Sequence, residues 1–421
     1  MDPSTIVVVG AGQAGCQAAA SLRERRYGGR LVLVGAESHL PYQRPPLSKG
    51  HVTGQVQRDT LWLHPASFYQ HQDIELYLAE TVDEIDRDGR RVRLGSGETL
   101  PYDHLVLALG ARNRPLTVAG AELDGVVALR TLDEADSLRE RLAAATNVVI
   151  VGGGFIGMEI AATAAKLGRA ATVIEVADRL MGRVLSTQTS KFLLGAHRSR
   201  GLNIGLGTSV SRIEGRDGVV SAVHTSDGRQ LPADLVIVGI GAVPNVELAA
   251  AAGLKVDNGI VVDEYLRTED PDISAVGDCV SCPSRFAGGL PVRLESVQNA
   301  TGQPRSLAVR LAGGEPAPYD AVPWFWSDQA DLKLQIAGLI AGHGSTALRG
   351  SLEGERFSVF CFDEGGALIG VESVNSPSDH MVARRLIQSG VPVTREQILD
   401  PELDLRALAL GKVGKPSTAT H

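Results

Sequence analysis

Apolar runs and Ala-rich amphipathic stretches alternate along most of this chain. Ile6 to Val9 and Val148 to Val151 are unbroken β-branched runs, the pattern of strands buried on both faces. A helix-forming stretch follows each, and a second strand then ends in an acid, Glu37 or Glu175. Tyr102 to Ala111 reads as a further buried strand closed by a glycine turn, and Ala233 to Gly241 repeats that pattern. Alternation of this kind predicts parallel βαβ sheets. Because the two similar strands bracket the second run, the simplest architecture inserts one βαβ domain, residues 112–241, into another built from 1–111 and 242–320. The pattern changes after Pro316, Pro318 and Pro323. Leu332 to Leu339, Leu348 to Leu352, Phe357 to Phe362 and Leu368 to Val374 read as antiparallel strands with glycine turns. Residues 377–389 predict one amphipathic helix, with Ser376 or Ser378 as N-cap and Gly390 past its end. This last domain is expected over 321–405, with a polar tail over 406–421.

Each β-branched run leads into a glycine fingerprint, Gly10-Ala11-Gly12-Gln13-Ala14-Gly15 and Gly152-Gly153-Gly154-Phe155-Ile156-Gly157. The acids Glu37 and Glu175 stand 22 and 18 residues past the last glycine, near the roughly 20 expected of a ribose-binding carboxylate. The pattern reads as a dinucleotide site built twice, on two Rossmann-like domains. The first glycine permits the tight turn, the second lets backbone approach a pyrophosphate, and the third lets helix pack on strand. Val176, not a basic residue, follows Glu175, so the second site favours NADH over NADPH; Arg179 and Arg183 lie nearby and weaken that preference.

Composition narrows the class. The chain is 43% hydrophobic and 21% charged, has no apolar run of membrane-spanning length, and enters its first strand directly after residue 5, so neither a membrane span nor a signal peptide is expected and the cytoplasm is the default compartment. A net charge of −8 with 4% aromatics and no basic block argues against nucleic-acid binding. Four scattered cysteines, Cys16, Cys279, Cys282 and Cys361, make no disulfide framework, and no metal site is expected.

The paired fingerprints, Tyr42-Gln43-Arg44-Pro45-Pro46-Leu47-Ser48-Lys49, the Gly277-Asp278 pair after Ile273 to Val276, and Trp324-Phe325-Trp326-Ser327-Asp328-Gln329 together resemble the FAD-dependent NADH:ferredoxin reductases, the oxygenase-coupled group of putidaredoxin and rubredoxin reductases. The likeness spans about residues 5 to 405. It implies a glutathione-reductase-like architecture, non-covalent FAD, and electrons passed singly from NADH to a [2Fe–2S] ferredoxin serving a monooxygenase or dioxygenase. It also implies site residues. Gly10, Gly12, Ala14, Gly15, Glu37, Arg44, Lys49, Val82, Arg130, Asp278 and Val297 fall at FAD positions. Gly152, Gly154, Ile156, Gly157, Glu159, Glu175, Arg183 and Gly241 fall at NADH positions. Lys49 is expected beside the flavin ring, paired with Glu159, and Trp326 between flavin and partner. Asp278 has a turn or N-cap acid as its alternative reading, against which Gly277 favours close approach to a ligand; taken alone, Arg130 is only an exposed strand-end arginine and Val297 merely a helix start. Arg305, Arg310 and Lys333 are the candidate basic residues for an acidic ferredoxin.

Cysteine placement separates subclasses. Related disulfide reductases, and NADH oxidases and peroxidases of similar fold, need cysteine within residues 40–50 or a CxxC within 112–241, and both segments lack it. Cys279-Val280-Ser281-Cys282 has CxxC spacing but follows the Gly-Asp pair, where packing is the expected role. Rubredoxin reduction and an oxidase or peroxidase activity are the alternatives. A non-catalytic signalling flavoprotein related to apoptosis-inducing factor would carry insertions that are not seen.

Overall fold

The computed structural model describes residues 4–411, so most of the expected tail lies outside the described residues. A short helix, Leu405–Ala409, capped by Asp404, stands where the tail was expected to begin. The described chain divides into two units, residues 4–117 with 127–144 and 238–321, and residues 118–126 with 145–237 and 322–411.

The first unit is built on five parallel strands in the order Ile273–Ala275, His104–Leu107, Thr5–Val9, Arg30–Gly35 and Ile74–Leu78. Ile6, Val7, Val8, Leu31, Val32 and Leu33 are all 0% exposed, as β-branched runs covered on both faces should be. Val9 pairs with both Val34 and Leu107, which aligns the carboxyl ends of three strands around Gly10. In open α/β sheets that edge is where ligands bind. The helix Leu132–Ala144 groups here because its Asp133 and Asp136 carboxylates lie 2.7 Å from His39 and His51.

In the second unit Asn203–Gly205, Ala170–Ile174, Asn147–Val151 and Leu235–Val238 lie side by side in that order. Its other sheet is antiparallel, in the order Trp324–Gln329, Leu332–Gly338, Leu368–Val374, Arg356–Phe362 and Ser345–Ser351. Ser345–Ser351 starts before the apolar run from Leu348 that marks it in the sequence, since ladder pairing with Arg356–Phe362 needs no apolar side chain. The helix Pro377–Ser389 follows, ended by Gly390 at φ +62°. None of the described helices is long and apolar enough to cross a membrane.

Candidate functional site

At the first fingerprint, two glycines are demanded by the chain itself. Gly10 sits at φ +106° and a Cβ there would fall 2.2 Å from the Ala108 carbonyl oxygen; one on Gly15 would fall 1.8 Å from that of Gly10. Gly12 is different: nothing lies within 4 Å of its would-be Cβ. It begins the helix Gln13–Glu24 with no side-chain cap, whereas the helix Val297–Leu311 is capped by Ser296. Uncapped N–H groups at a helix start, over open space, suit a pyrophosphate. Ala14 is buried in the first turn, and a Cβ on Gly277 would meet its methyl at 2.8 Å, so the Gly277-Asp278 turn is seated against this helix start. Gln303 holds that turn by accepting the Gly277 N–H at 2.8 Å.

Around it runs a charged network. Glu37 accepts from the Arg44 guanidinium at 2.6 Å and from the Tyr42 hydroxyl at 2.5 Å, and the Tyr42 oxygen in turn accepts from Arg44 and from the Leu132 N–H, each at 2.9 Å. Arg130 donates to the Asp278 carboxylate at 3.0 Å. Burial pushes the Asp278 carboxyl up, and the Arg130 charge opposes this. Lys49 donates to the Pro45 carbonyl at 3.1 Å and is half-buried. Val82 opens the strand Val82–Asp86, Val297 is the first residue of its helix, and Gly241, at φ +108°, accepts from the Arg114 N–H at 2.9 Å. Glu37, Arg44, Arg130 and Asp278 thus fall into one polar cluster with Tyr42, a member the sequence reading quoted without a role.

The second fingerprint repeats the design. Gly152 has φ +110°, a Cβ on Gly157 would lie 2.1 Å from the Gly152 oxygen, and Gly154 starts the helix Phe155–Lys166 with no side-chain cap. Glu175 accepts the Gly153 N–H at 2.6 Å and the Ala177 N–H at 2.8 Å. Ile156 is 45% and Val176 73% exposed, an apolar surface flanking the acid. Arg179 is tied down by Thr187 at 2.7 Å and the Gly182 carbonyl at 2.6 Å, while Arg183 is exposed.

Glu159 lies on the same helix and is only 3% exposed. A helix advances about 6 Å over four residues and a strand about 6.7 Å over two, so positions i, i+4 on one match i, i+2 on the other. Accordingly Phe155 meets Phe325, ring centroids 4.3 Å apart, and Glu159 meets Ser327, whose hydroxyl donates at 2.7 Å. Gln329, the next residue on that strand face, donates to Ser327 at 3.1 Å and lies 2.7 Å from His197. Trp324 and Trp326 occupy the other face, half-buried, with centroids 5.5 Å apart. Sequence reasoning missed Ser327, Gln329 and His197; the period-two spacing of the first two was the available signal.

All four cysteines are free and buried. Burial pushes the Cys16 and Cys279 thiols up to about 11 and Cys282 up to about 12, the reverse of what a thiolate nucleophile needs. Of the candidate docking residues, Arg305 and Lys333 are exposed. Arg310 is not available: it turns inward from the helix Val297–Leu311 and donates to the Ser274 hydroxyl at 2.6 Å. Its place beside buried Leu307, Ala308 and Leu311 explains that orientation.

Compared with known proteins, residues 4–303 match the family model described as Pyridine nucleotide-disulphide oxidoreductase and residues 324–409 that described as Reductase C-terminal. The chain is 50% identical over 402 residues to rhodocoxin reductase of Rhodococcus erythropolis, spanning 96% of this chain and 93% of that protein. The crystal structure of the ferredoxin reductase for the CYP199A2 system from Rhodopseudomonas palustris matches with TM-score 0.94 and 47% identity over 96% of this chain and 100% of the other. That of the covalent putidaredoxin reductase–putidaredoxin complex matches with TM-score 0.94 and 40% identity over 97% and 99%.

Proposed function

We propose, from the premise that this chain belongs to the pyridine nucleotide-disulphide oxidoreductase family, that it is an FAD-dependent NADH:ferredoxin reductase serving an oxygenase. Its acceptor is a [2Fe–2S] ferredoxin, which supplies a cytochrome P450 monooxygenase or a dioxygenase. FAD, held without a covalent link, supplies the conversion of a two-electron hydride into single-electron steps that an iron–sulfur acceptor requires.

The observation that carries the reading is Gly12, the fingerprint glycine that no atom within 4 Å explains, at an uncapped helix start beside the Glu37–Arg44 and Arg130–Asp278 pairs. In this reading Gly10 makes the tight turn, its own N–H spent on the Val34 carbonyl at 2.8 Å, and Gly12, Ala14 and Gly15 present N–H groups to the FAD pyrophosphate. Glu37 accepts from the ribose diol with the lone pairs that Arg44 and Tyr42 leave open, since a carboxylate offers about four acceptor sites. Asp278 accepts from the ribityl chain, Arg130 holds Asp278, Val82 and Arg44 line the same ligand, and Val297 opens a helix whose N–H groups favour negative charge on the flavin. Gly152, Gly154, Ile156 and Gly157 take the NADH pyrophosphate, Glu175 its ribose, with Arg183 and Gly241 as further contacts. Lys49 stabilises reduced flavin, Glu159 is the carboxylate that helps place the nicotinamide, and Trp326 stands toward the acceptor. The division into an FAD domain (1–111, 242–320), an NADH domain (112–241) and a C-terminal domain (321–405), and a cytoplasmic location, belong to the same proposal.

The test is anaerobic stopped-flow reduction by NADH followed by mixing with a [2Fe–2S] ferredoxin, a rubredoxin, oxygen or peroxide. Fast reoxidation by the ferredoxin alone supports the reading. Preference for rubredoxin, oxygen or peroxide overturns it.

A further inference from the structure

Glu159, Ser327, Gln329 and His197 are 3%, 0%, 0% and 1% exposed, and they form one continuous chain of hydrogen bonds. The donor order is set by chemistry. The Gln329 amide nitrogen donates to Ser327, so its carbonyl oxygen faces His197; that oxygen only accepts, so His197 Nε2 carries the proton. Ser327 accepts from Gln329 and points its own proton at Glu159 Oε1. Every link is polarised in the same sense, toward the carboxylate, and such chains strengthen one another in a low-dielectric interior.

A core made only to be stable has little use for this chain, because a partly broken polar network is worse than an apolar one. Three polar side chains from one helix and one strand instead lead to a single acid on a second helix. We propose that Ser327, Gln329 and His197 are positioning residues that fix the orientation of the Glu159 side chain for hydride transfer. The proposal rests on the reading of Glu159 as the carboxylate at the nicotinamide side.

His197 suits the far end. Burial pushes its pKa down, so the ring stays neutral and donates without titrating. Arg200, three residues on, is held by Asp331 at 2.8 Å and Glu355 at 2.6 Å, which anchors the end of the helix Thr187–Ser199 that carries His197.

The experiment compares Ser327→Ala, Ser327→Thr, Gln329→Met and Glu159→Gln with the parent holoprotein. Limiting flavin reduction by NADH, apparent Kd for NADH, FAD content and thermal midpoint are measured, along with the infrared carboxylate band that disappears in Glu159→Gln. Ser327→Ala should lower the limiting rate roughly tenfold, the weight of one hydrogen bond to a charged group, and shift that band. Ser327→Thr, which keeps the hydroxyl, should restore both, and Gln329→Met should fall between. FAD content should stay put in Ser327→Ala, while the thermal midpoint falls, because buried Glu159 and Gln329 lose their shared partner. If Glu159→Gln slows reduction but Ser327→Ala changes neither rate nor band, the relay is structural and the proposal fails while the role of Glu159 stands. If Glu159→Gln leaves reduction unchanged, the reading of Glu159 fails and the proposal with it.

Discussion

Glu175 accepts the Gly153 N–H at 2.6 Å, so the acid that ends the second strand of its βαβ unit is locked to the fingerprint turn of the same unit. Its second oxygen takes the Ala177 N–H at 2.8 Å. A negative charge is thereby fixed beside the turn, next to the 73%-exposed side chain of Val176.

Cofactor choice follows from that fixed charge. A 2′-phosphate placed there meets repulsion, and Arg179, the nearer cation, is occupied by Thr187 and Gly182. NADH should therefore have the higher kcat/KM, and Glu175→Ala combined with Val176→Arg should narrow the gap. Equal kcat/KM for NADH and NADPH in the parent protein would refute the assignment.

Lys49 should matter to chemistry more than to binding. Groups aimed at developing charge contribute on the order of 3 kcal/mol, so Lys49→Met should slow flavin reduction by NADH roughly a hundredfold while the protein keeps its FAD. A near-parental rate in stopped flow removes Lys49 from the mechanism.

Thiols should be silent. Cys279 and Cys282 are buried with their pKa pushed up to about 11 and about 12, so Cys279→Ser with Cys282→Ser should preserve NADH-driven ferredoxin reduction. Anaerobic titration should consume two electrons per flavin, because FAD is then the only redox group. Consumption of four would reveal a dithiol.

Docking should be salt-sensitive. With Arg310 turned inward, Arg305→Glu and Lys333→Glu should each raise KM for ferredoxin at low ionic strength and lose the effect at high salt, leaving flavin reduction untouched. Trp326→Ala should instead lower turnover at saturating ferredoxin. Parental turnover by all three variants at both salt concentrations would remove these residues from ferredoxin docking.

Acid should destabilise the fold through His380. Its ring is 1% exposed, neither ring nitrogen has a partner among the described residues, and burial beside Arg384 pushes its pKa down to about 4. Below its ordinary value of about 6.5 the unfolded chain takes up a proton that the folded chain refuses, so stability falls as pH drops from about 6.5 toward about 4. The full loss is about 3 kcal/mol. His380→Phe should flatten the fall in Tm between about pH 7 and pH 5. His104, pushed down to about 3, should leave a residual slope. An unchanged slope in His380→Phe would assign the acid sensitivity elsewhere.

Local rules made much of this protein legible from its sequence. Both βαβ units could be read because each needs only a β-branched run, a turn that excludes a side chain and an acid at a set distance; Gly10, Gly15 and Gly157 are forced by carbonyl oxygens only a few residues away or on the neighbouring strand. The C-terminal strands and the helix Pro377–Ser389 could be read for the same reason, since alternation and glycine ends are local signals. What the tertiary structure alone decided are the pairings that join distant segments. Arg44 on Glu37 is seven residues away, but Arg130 on Asp278 spans 148, and Ser327 on Glu159 spans 168. Arg310 shows the same limit: its charge suggests a surface, and only the packing of its helix against the helix Gln13–Glu24 leaves it turned toward Ser274. Side-chain type states which bonds a residue can make; which partner completes them depends on helix rotation and strand register, and those are settled by packing the whole core.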